Sequence, residues 1–488
     1  MLTSYLVNAL TFTLALATPY PRGARPVVRD YTDPTTPVSQ FRLAFNGPGG
    51  VTVSWNSATQ IDDPVVYYGQ DPTDLSSVSS PGTSTIFESA VTYDNHVQIS
   101  GLEPFTQYYY RVSGQDESVN PEEEGFYFIT GREAGDQTPF TIAFFADMGI
   151  VVGDLFDKTI PPTFGSLYDS RDQYEFIWHS GDFAYADDWL WEELTGVLPL
   201  DLSGGANAYM NIFNAYFDEL ANVTQNAVYM TGPGNHEADC IEPDLGIIND
   251  ILGVVGLNIC PSGQRNFTSY LNHFSMPTEA QAENYYQNMW YSWDYGMAHF
   301  VQINTETDFD GAPDLPHGSD HLDSGPFGFS GQQLQWLEAD LAAVDRSVTP
   351  WVIVGGHRPW YSAEDNCASC QTAFEDILYK YNVDMAWFGH IHYYERDTPV
   401  YQGTPDPNGL NNPSAPWNII SGAAGNFEGF STPNSTWPDY TQVVIDNEYG
   451  WSKLIFHNSS YLEQQYISAS TGNVLDSAIL YKDHGLNW

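Results

Sequence analysis

The sequence runs to 488 residues, too long for one ordinary core, so two or more domains are expected. Hydrophobic residues at 42% argue against disorder, and 15% aromatics favour strand-rich, rigidly packed architecture. Fifteen Lys+Arg against 62 Asp+Glu leave a net charge of −47, which repels nucleic-acid phosphates and anionic membrane surfaces, so neither is an expected partner. The same acidity fits high solubility and also work at low pH, where protonation of carboxylates relieves self-repulsion.

At the N-terminus, Leu6–Ala17 is a short apolar stretch ending in a small-x-small site, Ala15-Leu16-Ala17. It reads as a signal peptide over residues 1–17, too short to span a bilayer, with a linker or short pro-segment over 18–35. A secreted location follows. Sequons at Asn222, Asn266, Asn434 and Asn458 agree with it and suggest N-glycans. So do four cysteines, Cys240, Cys260, Cys367 and Cys370. Three pairings are open to them, local pairing (Cys240–Cys260, Cys367–Cys370) being the expected one. The Cys367-Ala368-Ser369-Cys370 motif lacks a thioredoxin-like βαβ context and reads as loop-stiffening.

Residues 36–130 read as an all-β module. Val51–Trp55 alternates like a half-buried strand, and Val65–Gly69, His96–Ser100 and Tyr108–Val112 follow between Gly, Pro, Asp and Ser. The spacing resembles a fibronectin type III-like sandwich, whose default role is structural. From Pro139 the pattern changes to short apolar runs separated by longer segments, as in α/β layering. Buried strands are expected at Phe140–Ala146, Glu175–Trp178, Ala227–Met230, His299–Ile303, Trp351–Val354 and Met385–Phe388. Ser330 with Gln333 predicts a capping box before a helix whose apolar face carries Leu334, Leu337 and Leu341. The strand-rich stretch from Trp417 to Tyr481 is expected to pack back onto the same domain, which spans 139–481.

Five of these strands run directly into polar motifs: Asp147-Met148-Gly149, Gly181-Asp182-Phe183-Ala184-Tyr185, Gly234-Asn235-His236-Glu237, Gly355-Gly356-His357-Arg358-Pro359 and Gly389-His390-Ile391-His392. Ligand sites of open α/β sheets lie outside the carboxyl ends of strands. The Asp, Asn, Tyr and His donors suit hard to borderline ions such as Fe(III), Zn(II) or Mn(II). One Asp can bridge two ions about 3.5–4 Å apart.

The five blocks resemble the metallophosphoesterases and, within them, the purple acid phosphatases of plant and fungal type. The resemblance implies a four-layer αββα domain after the β-sandwich. It further implies that Asp147, Tyr185 and His392 bind Fe(III), that Asp182 bridges, and that Asn235, His357 and His390 bind a divalent Zn, Mn or Fe. Most metallophosphoesterases carry a histidine where Gly149 stands; here Tyr185 replaces it, and a tyrosinate on Fe(III) gives such proteins their colour. The implied chemistry is hydrolysis of small phosphate monoesters by a metal-bound hydroxide, with His236 contacting phosphate or protonating the leaving oxygen. Phytate or diester preference on the same site, or a secreted binding glycoprotein with a vestigial site, are the alternatives. Plant relatives carry further histidines after the position of His357; this chain has Tyr361–Cys370 there. Asn235, His236 and Arg358 are therefore the candidate phosphate contacts, with His317 or His321 from the polar loop 305–328 as weaker ones. His96, His179, His273, His299, His457 and His484 read as structural or surface residues.

Overall fold

The computed structural model describes residues 37–152, 159–194, 205–240, 260–277, 288–320 and 322–485. The expected signal peptide and pro-segment, and His321, lie outside the described residues.

The N-terminal module is a sandwich. Val38–Phe45, Val51–Ser57, Tyr93–Ile99 and Thr83–Thr85 form one antiparallel sheet. Ser77–Val78, Val66–Gly69, Gln107–Val112 and Tyr127–Ile129 form the other. Val53, Trp55, Tyr110 and Phe128 are fully buried. One expectation is corrected: Val51–Ser57 is buried at every position rather than on one face. The physical reason is a second cover. The helices Gly205–Thr224 and Thr268–His273 lie across this sheet, with Thr224 Oγ1 donating to Phe41 O, Arg42 Nε to His273 O, and His96 Nε2 2.8 Å from Asn272 O. The module is also fused to the second domain edge to edge, since Val38–Phe45 pairs parallel with Val228–Gly232 at Leu43 and Val228.

That pairing makes one ten-stranded sheet. Beyond Val228–Gly232 come Phe176–Ser180, Phe140–Phe145, Gly450–Asn458, Tyr461–Ser468 and Val474–Tyr481. A seven-stranded sheet faces it, in the order Tyr291–Tyr295, Ala298–Gln302, Trp351–Gly355, Met385–Phe388, Trp417–Ser421, Tyr394–Asp397, Thr441–Ile445. Aromatic side chains fill the space between. Trp178 packs edge-on against both Trp387 and Trp293 with ring centroids 5.1 Å apart, and Phe144 meets Trp387 at 4.9 Å. Helices cover both outer faces: Pro162–Asp169 and Gly205–Thr224 on the ten-stranded sheet, Gln332–Ala343 and Ala368–Lys380 on the other. This is the expected αββα layering, and the stretch after Trp417 does return to it, supplying strands to both sheets.

The helix expected to open at Ser330 begins instead at Gln332, behind Gly331 in a left-handed conformation (φ 75°). Gln333 does not cap it. Its amide accepts from Asn304 N (2.7 Å) and donates to Asn304 O (3.0 Å), bonding the helix to the chain beyond Ala298–Gln302. Leu337 and Leu341 are buried as expected, Leu334 only partly.

Candidate metal centre

Each of the five motifs sits just past the carboxyl end of a parallel strand, three from the ten-stranded sheet and two from the seven-stranded one. Because the sheets face each other, the strand ends bring all seven expected ligands together. The Tyr185 hydroxyl lies 2.9 Å from His392 Nε2, 3.3 Å from Asp147 Oδ1 and 3.5 Å from Asp182 Oδ2. His357 Nε2 lies 3.0 Å from Asp182 Oδ2 and 3.2 Å from Asn235 Oδ1. Asp147, Asp182 and His392 form one potential ion-holding group, and Asp182, His357 and His390 another. Asp182 belongs to both.

The turns that present these side chains are strained. Asp147, Asp182, Tyr185 and His390 all have left-handed φ values, 64°, 59°, 57° and 66°, which non-glycine residues adopt at a cost. Backbone hydrogen bonds hold them there. Glu237 accepts from Asp182 N, Gly234 N and Phe183 N, stapling two of the turns together. Asp147 accepts from His390 N, and Asn426 Nδ2 donates to Asp147 O. His357 Nδ1 is 2.9 Å from Ser180 O, which fixes it as the donor nitrogen and leaves Nε2 for a cation. Close approach explains Gly389, where a Cβ would lie 2.4 Å from Asp147 Oδ2.

The donor set fits a pair of cations. Burial, reinforced by Asp147 and Asp182, pushes the Tyr185 phenol well above its usual pKa, so a tyrosinate here requires a compensating positive charge. Burial alone would lower His357, but Asp182 outweighs it and drives the pKa up to about 10, a proton taking the place for which a cation competes.

His236 stands beside this set. Its N–H donates to Asp182 Oδ1 at 3.0 Å, its Nδ1 lies 2.9 Å from Asp187 Oδ2, and its ring centroid lies 4.2 Å from that of Tyr185. Burial works against its protonation, but Asp187 and Asp182 outweigh burial and raise it well above the usual histidine range. Arg358 also reaches the site, yet its guanidinium is engaged: Nε donates to Glu306 Oε2 at 2.5 Å, Nη2 to Asp320, and Nη1 lies 2.9 Å from His390 Nε2. His317 is an exposed residue of the otherwise largely buried polar loop, its backbone N donating to Asp323, and belongs to neither ion-holding group.

The model for calcineurin-like phosphoesterases matches residues 140–394, that for the purple acid phosphatase N-terminal domain residues 38–130, and that for iron/zinc purple acid phosphatase-like protein C residues 415–477. Acid phosphatase A of Cryphonectria parasitica is 39% identical over 93% of both chains. The chain belongs to the purple acid phosphatase family. A second relative of this purple acid phosphatase, the acid phosphatase of Aspergillus ficuum, is 32% identical over 94% of this chain and 89% of its own. The yellow lupin purple acid phosphatase PPD1 shares the fold with a TM-score of 0.68 at 22% identity, covering 92% of this chain and 75% of its own.

Gly149 lies close to two segments of the site. A Cβ there would stand 3.2 Å from Asn426 Cα and 3.4 Å from Tyr185 Cδ2, so a side chain at 149 would crowd the Asn426 backbone and lie against the tyrosine ring. Both expected disulfides form, Cys240–Cys260 and Cys367–Cys370. The second braces the His357 loop: Cys367 N donates to Pro359 O, and Thr305, near Cys370 Sγ, accepts from His357 N and Arg358 N. All four sequon asparagines are exposed. The histidines read as structural are partnered, as with His484 on Asp384 and His273 on Asp94. Asn426, Glu237 and Asp187 were not among the sequence candidates. Glu237 was within reach, since it closes the Gly234-Asn235-His236-Glu237 motif; nothing local marks the other two.

Proposed function

We propose that this acid phosphatase hydrolyses phosphate monoesters at a site that would hold two cations, with Asp182 serving both. Fe(III) is assigned to Asp147, Tyr185 and His392, and a divalent Zn, Mn or Fe to Asn235, His357 and His390. The observation that carries the reading is that Asp182 belongs to both groups of convergent donors, with Tyr185 over the first and Asn235 beside the second. When bound, the cations supply Lewis acidity toward the phosphoryl oxygens and toward the attacking water.

The protein's own groups do the rest. Burial of Asp147, Asp182, Tyr185 and His357 keeps bulk water from the donors and strengthens every charge interaction among them. His236 is proposed to act as the imidazolium, its Nδ1–H held by Asp187, so that the second proton, on Nε2, is the one delivered to the leaving oxygen, leaving neutral imidazole. The Asn235 amide and His236 are proposed to touch the phosphoryl group. Arg358 is proposed to act through His390, because carboxylates take up its other donors. Secretion is supported by the two disulfides and the exposed sequons. Assay of the purified, metal-loaded protein on an aryl phosphate at acidic pH tests the reading: turnover is expected, and its absence refutes the reading.

A further inference from the structure

The Cys367-Ala368-Ser369-Cys370 motif, read from sequence as lacking a βαβ context, sits in one. Trp351–Gly355 and Met385–Phe388 are parallel neighbours, and Ala368–Lys380 is the helix that crosses between them, with Cys367 as its N-cap. A cysteine pair at the start of such a helix is an arrangement that reactive dithiols use, because the helix N-terminus favours a thiolate.

The two sulfurs are unequal. Cys370 is fully buried, whereas Cys367 keeps part of its surface. Cys367 Sγ accepts from Cys370 N at 3.2 Å and lies 3.5 Å from Ser369 Oγ. An incoming thiolate therefore meets Cys367 first. Glu364 and Asp365, exposed just ahead of it, repel anionic thiols and favour a neutral reductant. The bond closes a ring with a sequence separation of 3, against 20 for Cys240–Cys260, whose two cysteines are both fully buried. Constraint of the unfolded chain grows with loop length, so opening the short ring is a local event that leaves global stability largely intact.

Locality matters because of what the ring touches. Cys367 N donates to Pro359 O at 2.9 Å, and Cys370 Sγ lies 3.6 Å from Thr305 O. Thr305 Oγ1 in turn accepts from His357 N at 3.1 Å and Arg358 N at 2.8 Å. The ring is thus the outer brace of the turn that carries His357, one of the donors grouped with Asp182.

We infer that Cys367–Cys370 is a thiol-reactive disulfide whose opening loosens the His357 turn and, with it, the hold on the divalent ion assigned there. A thiolate of a neutral dithiol attacks Cys367 Sγ, the Sγ–Sγ bond breaks, and Cys370 leaves as a thiolate that takes up a proton. The dithiol's second sulfur then attacks its first, releases Cys367 as a thiol and departs as a cyclic disulfide. Two electrons and two protons pass to the protein. With the bond open, the helix start and the Pro359 turn are tied by hydrogen bonds alone. The effect on the ion rests on the two-cation reading; the exchange itself does not.

The test treats the metal-loaded protein with dithiothreitol, removes the reductant by desalting under nitrogen, and follows release of the divalent ion to a chelator. Maleimide labelling with peptide mapping locates the thiols. Cys367 and Cys370 are expected to label in protein that keeps its near-ultraviolet circular dichroism, release to quicken about tenfold, and reoxidation to restore the slow rate. Cys367→Ser/Cys370→Ser should release at the fast rate with or without the dithiol, which separates the brace from any action of the reductant on the metals or on Cys240–Cys260. Labelling only in unfolded protein, or release within about twofold of the oxidised rate once both thiols label, overturns the inference. Should the wild-type protein bind no divalent ion, the two-cation reading falls and deuterium uptake over residues 357–361 decides the brace: faster uptake after reduction upholds it, and unchanged uptake overturns it.

Discussion

Asp182 Oδ2 lies 3.0 Å from His357 Nε2 and 3.5 Å from the Tyr185 hydroxyl, so one carboxylate oxygen touches a donor from each half of the centre. The contact joins the two facing sheets, since Asp182 follows Phe176–Ser180 and His357 follows Trp351–Gly355. Asp182→Asn keeps the shape and removes the charge that both donor groups share. Activity is expected to fall by on the order of 10³-fold, with bound metal dropping from two ions per chain to one. Steady-state rates with elemental analysis check both, and near-normal rates would mean the bridge is misplaced.

His236 should separate proton delivery from metal binding. His236→Ala is expected to lower kcat by about 10²–10³-fold with the metal content unchanged. Asp187→Asn, which keeps a partner for Nδ1 but removes its charge, should cost less, about tenfold, and shift the alkaline limb of the pH–rate profile to lower pH, because the proton donor then loses its proton sooner. Loss of metal from His236→Ala would instead make the residue a support for the ligands.

Glu237 accepts from three buried backbone N–H groups that hold the Asp182 and Asn235 turns. Glu237→Ala leaves those donors unpaired and should destabilise the fold by about 3 kcal/mol, read as a lower Tm, while also weakening metal retention. An unchanged Tm would show that other groups hold the turns.

Far from the centre, His299 lies between Asp294 (2.7 Å) and Asp340 (3.0 Å). Burial opposes its charge, but the two carboxylates prevail and raise its pKa from 6.5 to about 9. Because the folded value lies above the unfolded one, the pair's stabilisation is complete below about pH 6.5 and is lost as pH rises through about 9. Asp294 is partly exposed, which reduces the gain to about 1–2 kcal/mol. Denaturant titrations of wild type and His299→Gln should therefore differ at pH 5.5 and converge near pH 10, to within about 0.5 kcal/mol. A constant difference across that range would contradict the linkage.

The convergence of the candidate donors was legible because each lies just past a short apolar strand with a glycine close by, a local pattern that survives without knowledge of the fold. Strands such as Met385–Phe388 were equally plain. What escaped depends on contacts between distant segments. The Leu43–Val228 pairing that fuses the sandwich to the larger domain leaves no trace in either strand, and the double burial of Val51–Ser57 follows from helices that begin only at Gly205 and Thr268. Gln333 looked like a cap because Ser330 precedes it by three; Asn304, brought beside it by the sheet, offers its amide a better partner. Asn426 and Glu428 lie in a polar loop with no motif, and only the sheet order carries them to Asp147 and His392.

The most direct test of the tyrosinate–iron centre is the visible absorption spectrum of the purified protein, taken with its metal content. A broad visible band, two metal ions per chain with one of them iron, and loss of the band in folded Tyr185→Phe are expected. A colourless protein carrying two zinc ions and no iron would contradict the account.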